Sequence, residues 1–144
     1  MNKMYYESTV KYRKTDEQGV NKVVTESYIV SALSFSEAES NINDQMKIYV
    51  GEDFKIVNIK LTNYSEISAF EDVDKWFKSK ISLLYFDENS GKEKKSNIYM
   101  LVQANDAKNA YDNTITALKG TVSDFTIPSV SETKIVEVFE YLGE

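Results

Sequence analysis

Lys11, Arg13, Lys78, Lys80, Lys92, Lys94 and Lys95 fall where this sequence reads as strand or hairpin tip, interleaved with the aromatic residues Tyr5, Trp76 and Tyr85. Cations that track phosphates, beside rings on which bases stack, are what a sheet needs to hold single-stranded nucleic acid. The competing reading of the same lysines is a solvated strand surface protected against edge pairing. Trp76, the only tryptophan, reads either as a stacking platform or as a ring sealing a junction between repeats, because tryptophan is usually well buried. Asp16-Glu17 and Asp87-Glu88 are adjacent carboxylates, a pairing that suits a hard cation or acid–base work. Neighbouring strand residues point to opposite faces, however, and turns favour Asp. They are therefore read as solvated turn residues, and no metal site is assigned.

The absences restrict the chemistry further. There is no histidine and no cysteine. That removes the usual general base near neutral pH, the commonest metal ligand, the thiolate nucleophile and any disulfide. Ser34 and Ser36 have no base to activate them and read as helix caps. The five glycines are scattered, so no glycine-rich loop cradles a phosphate. A non-enzymatic protein without cofactors is expected. No apolar run approaches membrane-spanning length, and the first residues have no apolar signal-like core. No membrane partner is expected, and a cytoplasmic setting is.

The elements that must position these residues are written twice. Asp53-Phe54-Lys55-Ile56 recurs as Asp124-Phe125-Thr126-Ile127, and Asp16-Glu17-Gln18-Gly19 recurs as Asp87-Glu88-Asn89-Ser90-Gly91 with one residue inserted. Ser8 matches Ser79, Val30 matches Val102, Ala38 matches Ala110, and Glu66-Ile67 matches Glu137-Val138. Turn signals, apolar pattern and helix starts repeat together, so a supersecondary unit is duplicated.

Within each repeat, Tyr6, Ser8, Val10 and Tyr12 alternate with Tyr5, Glu7, Thr9, Lys11 and Arg13, as on a half-buried strand. A polar turn and a returning strand follow. Tyr28-Ile29-Val30 and Met100-Leu101-Val102 lack polar alternation, so both faces need cover. Ser34-Phe35-Ser36-Glu37 is a capping box, with Asp106 in the matching position. Phe35, Ala38, Ile42, Met46 and Tyr49 form one helical stripe, echoed by Ala107, Ala110, Thr114 and Leu118. A third strand spans 54–62 and 125–133, where Pro128 implies an edge or a bulge. Stretches 64–70 and 135–141 read as a further short strand. The expected fold is α+β: two tandem ββαβ repeats, 1–70 and 76–144, joined by an acidic linker at 71–75. They would form antiparallel sheet with helices on one face, packed as one pseudo-twofold body.

Across nearly its whole length the chain resembles the domain of unknown function 4494 family, of Bacteroidota and their phages and mobile elements. The likeness is carried by Tyr5 to Tyr12, Val24-Thr25-Glu26 with Tyr28, and Ala32-Leu33-Ser34-Phe35-Ser36-Glu37-Ala38. Trp76-Phe77-Lys78, Met100-Leu101-Val102-Gln103-Ala104 and Glu137-Val138-Phe139 carry it in the second half. The resemblance implies a bacterial or phage setting and no established activity.

The net charge of −6 is segregated. Residues 1–32 carry five Lys/Arg against four Asp/Glu and residues 76–103 five against three, whereas 33–75 carry four against nine and 104–144 three against seven. The favoured ligand is therefore single-stranded nucleic acid along the two mildly basic hairpins. The alternative is a protein-interaction module, such as a phage or mobile-element factor docking on a host protein. A homo-oligomer is expected, because the doubly apolar strands need more cover than two short helices provide.

Overall fold

The computed structural model describes residues 3–121 and 124–140. Its elements run β1 (Met4–Thr15), β2 (Asn21–Ala32), α1 (Phe35–Tyr49), β3 (Phe54–Leu61) and β4 (Tyr64–Ser68). The same series then repeats as β5 (Lys75–Asp87), β6 (Lys92–Ala104), α2 (Ala107–Leu118), β7 (Phe125–Glu132) and β8 (Ile135–Phe139). Each repeat is thus ββαββ. Of the expected last strand, Tyr141 lies outside the described residues.

Each hairpin closes on an Asp that builds its own turn. Asp16 Oδ1 accepts from the backbone N–H of Gln18 and of Val20, both at 2.9 Å, and Asp87 Oδ1 accepts from Asn89 N–H at 3.0 Å. Gly19 supplies the positive φ of 79° that an L side chain resists. The helices start on reciprocal caps. Ser34 Oγ accepts from Glu37 N–H at 3.1 Å while Glu37 Oε1 accepts from Leu33 N–H. Asp106 and Asn109 repeat the arrangement, with Asn109 accepting from Asn105 N–H.

The strands form two four-stranded sheets, ordered β3-β1-β2-β8 and β7-β5-β6-β4. The pairs β1–β2, β1–β3, β5–β6 and β5–β7 are antiparallel. However, β8 runs parallel to β2, and β4 parallel to β6. The α+β class stands, but the sheets are mixed rather than antiparallel. Pro128 sits on the edge strand β7, where the β5–β7 register shifts between Lys80 and Ser82. A residue without an N–H is tolerated there because no ladder bond is asked of it.

The parallel pairings come from an exchange: the last strand of each repeat completes the sheet of the other. A threonine makes the exit. Thr62 donates both its backbone N–H (2.9 Å) and its hydroxyl (2.7 Å) to the Tyr5 carbonyl, pinning the end of β3 to the start of β1. Thr133 does the same to the Trp76 carbonyl, at 2.9 and 2.8 Å. The compact units consequently divide beside these threonines. One holds the described residues up to Thr62 together with those from Lys134 onward, and the other is Asn63–Thr133. The acidic stretch 71–75 falls inside the second unit.

In the first unit α1 lays Ala38, Ile42 and Met46 on Tyr6, Val10, Tyr28, Val30 and Ala32. In the second, Leu118 packs with Ile81, Met100 and Val102, and Ala110 with Phe77 and Ala104. Burying each large side chain of this kind contributes about 1.5–3 kcal/mol. Tyr28–Val30 and Met100–Val102 are completely buried within a single chain. The cover these strands need is therefore present in the chain itself.

Candidate functional site

The pleat of β1 divides its residues cleanly. Tyr6, Ser8, Val10 and Tyr12 are buried toward α1, while Lys11 and Arg13 are exposed on the other face. The β1–β3 register passes a bulge between Thr9 and Val10 and sets Lys11 directly opposite Lys55 and Tyr12 opposite Phe54. Side chains facing each other across an antiparallel pair have Cβ atoms about 5 Å apart, so two like charges there are destabilising. Arg13 follows on the same face, two residues along. No ion pair ties any of the three to a carboxylate among the described residues. Together they line a shallow cleft of about 400 Å³, which Glu52 and Asp53 also border. Edge protection explains a lysine on the edge strand β3. It does not explain Lys11 and Arg13, because β1 lies inside the sheet.

In the second unit the cationic candidates separate onto two faces of the β5–β6 hairpin. Lys78, Lys80 and Lys95 pair with Leu101, Tyr99 and Leu84 on the face away from α2, whereas Lys92 and Lys94 pair with Asp87 and Tyr85 on the other. Lys94 is spent on Asp87, at 2.8 Å. Lys78 is half-buried, its ammonium 4.7 Å from the Tyr99 ring centroid and 5.6 Å from that of Tyr64. Those two rings give the Lys78 ammonium a partner within the chain. Trp76 needs a firmer correction: at 4 % exposure it presents no face on which a base could stack. Tyr5 is half-buried, with its phenol 3.4 Å from Glu140 Oε1. Of the three aromatic candidates only Tyr85 is exposed. The paired acids stay structural. Asp16 is held below the usual carboxylate range chiefly by the Val20 backbone N–H, and Asp87 chiefly by Lys94.

One polar group was missed by sequence reasoning. Tyr12 and Tyr28 both donate to Glu26 Oε1, at 2.5 and 2.7 Å, and Lys14 sits 3.6 Å from the other oxygen. Burial opposes the Glu26 charge, but the two phenols and Lys14 outweigh it and hold the carboxyl below its ordinary value. Burial and the same hydrogen bond push the Tyr12 phenol up to about 12. Tyr28 is raised further for the same reasons. At the matching positions of the second repeat stand Leu83, Ile98 and Met100, all apolar and part of the α2-side core. The departure of one repeat from the other was the available signal.

The sequence matches the domain of unknown function DUF4494 over residues 4–141. The chain belongs to that family. No curated protein matches it. For this DUF4494 chain the residues themselves must therefore carry the functional reading. Among the described residues there is no cluster of acids fit to hold a metal ion, and no helix is long and apolar enough to cross a membrane.

Proposed function

We propose that this chain is a small, non-catalytic binding protein of a bacterium or phage, working in the cytoplasm on single-stranded nucleic acid. The observation that carries this reading is the opposition of Lys11 and Lys55, with Arg13 beside them and, among the described residues, no ion pair to any of the three, although Glu52 and Asp53 border the same cleft. An uncompensated like-charge pair costs stability in the free protein. An anion laid across it recovers that cost. In the same unit Glu52 and Asp53 border the cleft against its three cations, while the acids Glu37, Glu39 and Asp44 belong to α1, which covers the opposite face of the sheet. This separation lets a net-acidic protein present a cationic surface to a polyanion. A mobility-shift series with single-stranded and duplex oligonucleotides, at low and physiological salt, tests the reading. Binding to single strands that weakens steeply with salt supports it, and no shift at about 50 mM salt, where counterion release most favours association, rejects it.

A second reading, a protein-interaction module that docks on a host protein or a second copy, has its own observation. Tyr85 and Phe86, near the tip of the β5–β6 hairpin, are 49 % and 64 % exposed. Adjacent large apolar residues at a hairpin tip suit a protein contact better than a phosphate.

A further inference from the structure

The duplication supplies an internal control for the cationic face. Lys11, Arg13 and Lys55 correspond by repeat alignment to Ser82, Leu84 and Thr126. The correspondence is also geometric: Ser82 lies opposite Thr126 on β5 and β7, as Lys11 lies opposite Lys55 on β1 and β3. The same backbone register thus carries three cations in one unit and none in the other. Ser82 is buried and donates to Asn97 at 2.9 Å, so its position is closed to a ligand. The cations that the second unit does carry are not gathered in this way. Lys78 is engaged by two tyrosines, Lys80 is half-buried beside Tyr99, and Lys95 stands four residues further along β6.

We infer that the chain holds one phosphate-binding site, made by Lys11, Arg13 and Lys55 of the first unit, and that it grips the phosphodiester backbone rather than the bases. Resting on the nucleic-acid reading, this fixes its stoichiometry at one strand per chain. The face offers charge without an exposed stacking platform: the rings nearest in register, Tyr12 and Phe54, border the cleft, but Tyr12 is buried and Phe54 half-buried. Backbone contacts of this kind carry no sequence information. Binding is therefore indifferent to base composition and dominated by counterion release. For three cations the salt slope attributable to the site is about 2 on single strands.

The test uses the full chain and fluorescein-labelled oligothymidylate and mixed-sequence oligonucleotides of equal length, followed by anisotropy. Three proteins are compared: the natural chain, Lys11→Gln/Arg13→Gln/Lys55→Gln, and Lys80→Gln/Lys95→Gln. Thermal melts verify folding; Lys11→Ala/Lys55→Ala is the reserve variant, which removes the like-charge pair and should not destabilise the sheet. One oligonucleotide per chain, similar affinity for both sequences, at least a tenfold loss in the first variant with its salt slope lowered by about 2, and less than about a twofold change in the second support the inference. Two strands per chain, equal losses in both variants, or a loss confined to Lys80→Gln/Lys95→Gln overturn it while leaving the nucleic-acid reading intact. No binding by the natural chain at about 50 mM salt overturns both.

Discussion

The Tyr28 phenol lies 2.7 Å from Glu26 Oε1, on a strand whose following residues Tyr28 to Val30 are completely buried. A carboxylate in such a place is stable only because its charge is shared with donors. Its sign of linkage follows. The folded-state pKa is depressed, so the stabilisation is complete above the ordinary 4.5 and is lost as pH falls through the lower folded value. Glu26→Gln keeps an acceptor but removes the titration. Urea unfolding followed from pH 7 downward should show a shallower acid limb below about pH 4.5 in this variant. An acid limb identical to that of the natural chain would mean that Glu26 titrates normally.

The partner phenol predicts the alkaline limb. Tyr12 is raised from 10.0 to about 12, so its contribution is complete below pH 10 and disappears as pH climbs through that interval. Tyr12→Phe should lessen this dependence and leave the share of Tyr28, which is raised further. At neutral pH it should cost about 1.5–3 kcal/mol, the worth of a hydrogen bond to a charged group. Ultraviolet titration of phenolate formation alongside chemical denaturation checks both. A loss well under 0.5 kcal/mol would show that Tyr28 and Lys14 suffice for Glu26, since hydrogen bonds of this type are normally worth more than that.

Strand exchange makes the C-terminal segment part of the first unit's sheet. Ending the chain after Thr133 removes β8 and leaves the β2 edge from Ser27 to Val30 without its parallel neighbour. It also deletes Phe139, whose ring stacks on Tyr28 at 5.6 Å and meets Tyr49 edge-on. Hydrogen exchange should then quicken in β1 and β2 while β5 and β6, in the contiguous unit Asn63–Thr133, keep their protection. Uniform loss of protection throughout the chain would show instead that the two units unfold as one cooperative block.

Gly19 and Gly91 test the hairpins without touching anything else. Both have positive φ, 79° and 69°, and a Cβ added at either meets nothing within 4 Å. Replacement by Ala therefore costs backbone strain alone, about 1–2 kcal/mol in each hairpin, with Asn at the same positions costing less. Thermal melts that show no penalty for Ala would mean that the turns relax to another type.

Much of this architecture was legible because it is written twice. Matching Asp-plus-glycine turns, the Ser34 and Asp106 caps and the 3.6-residue stripes each specify an element locally, and a second copy confirms each one. The strand exchange was not legible. Only Thr62 and Asn63 separate β3 from β4, a spacing that ordinarily makes a hairpin. What sends the chain elsewhere is the pair of hydrogen bonds from Thr62 to the Tyr5 carbonyl, a long-range contact with no local signature. The site was half legible for a related reason. Lys11 and Arg13 could be placed on an outward face from alternation, but Lys55 joins them only through a register that includes a bulge. Trp76 failed as a platform because a large ring on a strand face says nothing about what lies over it.

Lys78 separates a structural cation from a binding one. Its ammonium lies over the Tyr99 and Tyr64 rings, and a partly desolvated contact of this kind is worth about 0.5–2 kcal/mol. Lys78→Met keeps much of the aliphatic length and discards the charge. The melt should move by an amount within that range, because the ring faces lose their cation. Affinity for a single-stranded oligonucleotide should stay within about twofold, with a salt slope unchanged, since no phosphate contact is released. Lys11→Met should behave in the opposite way. Its melt should hold or rise, because the repulsion with Lys55 is relieved. Its salt slope should fall by about 0.7, one phosphate on a single strand. Should Lys78→Met weaken binding as much as Lys11→Met does, the two tyrosines hold a lysine that still reaches the ligand, and the second unit shares in the interface.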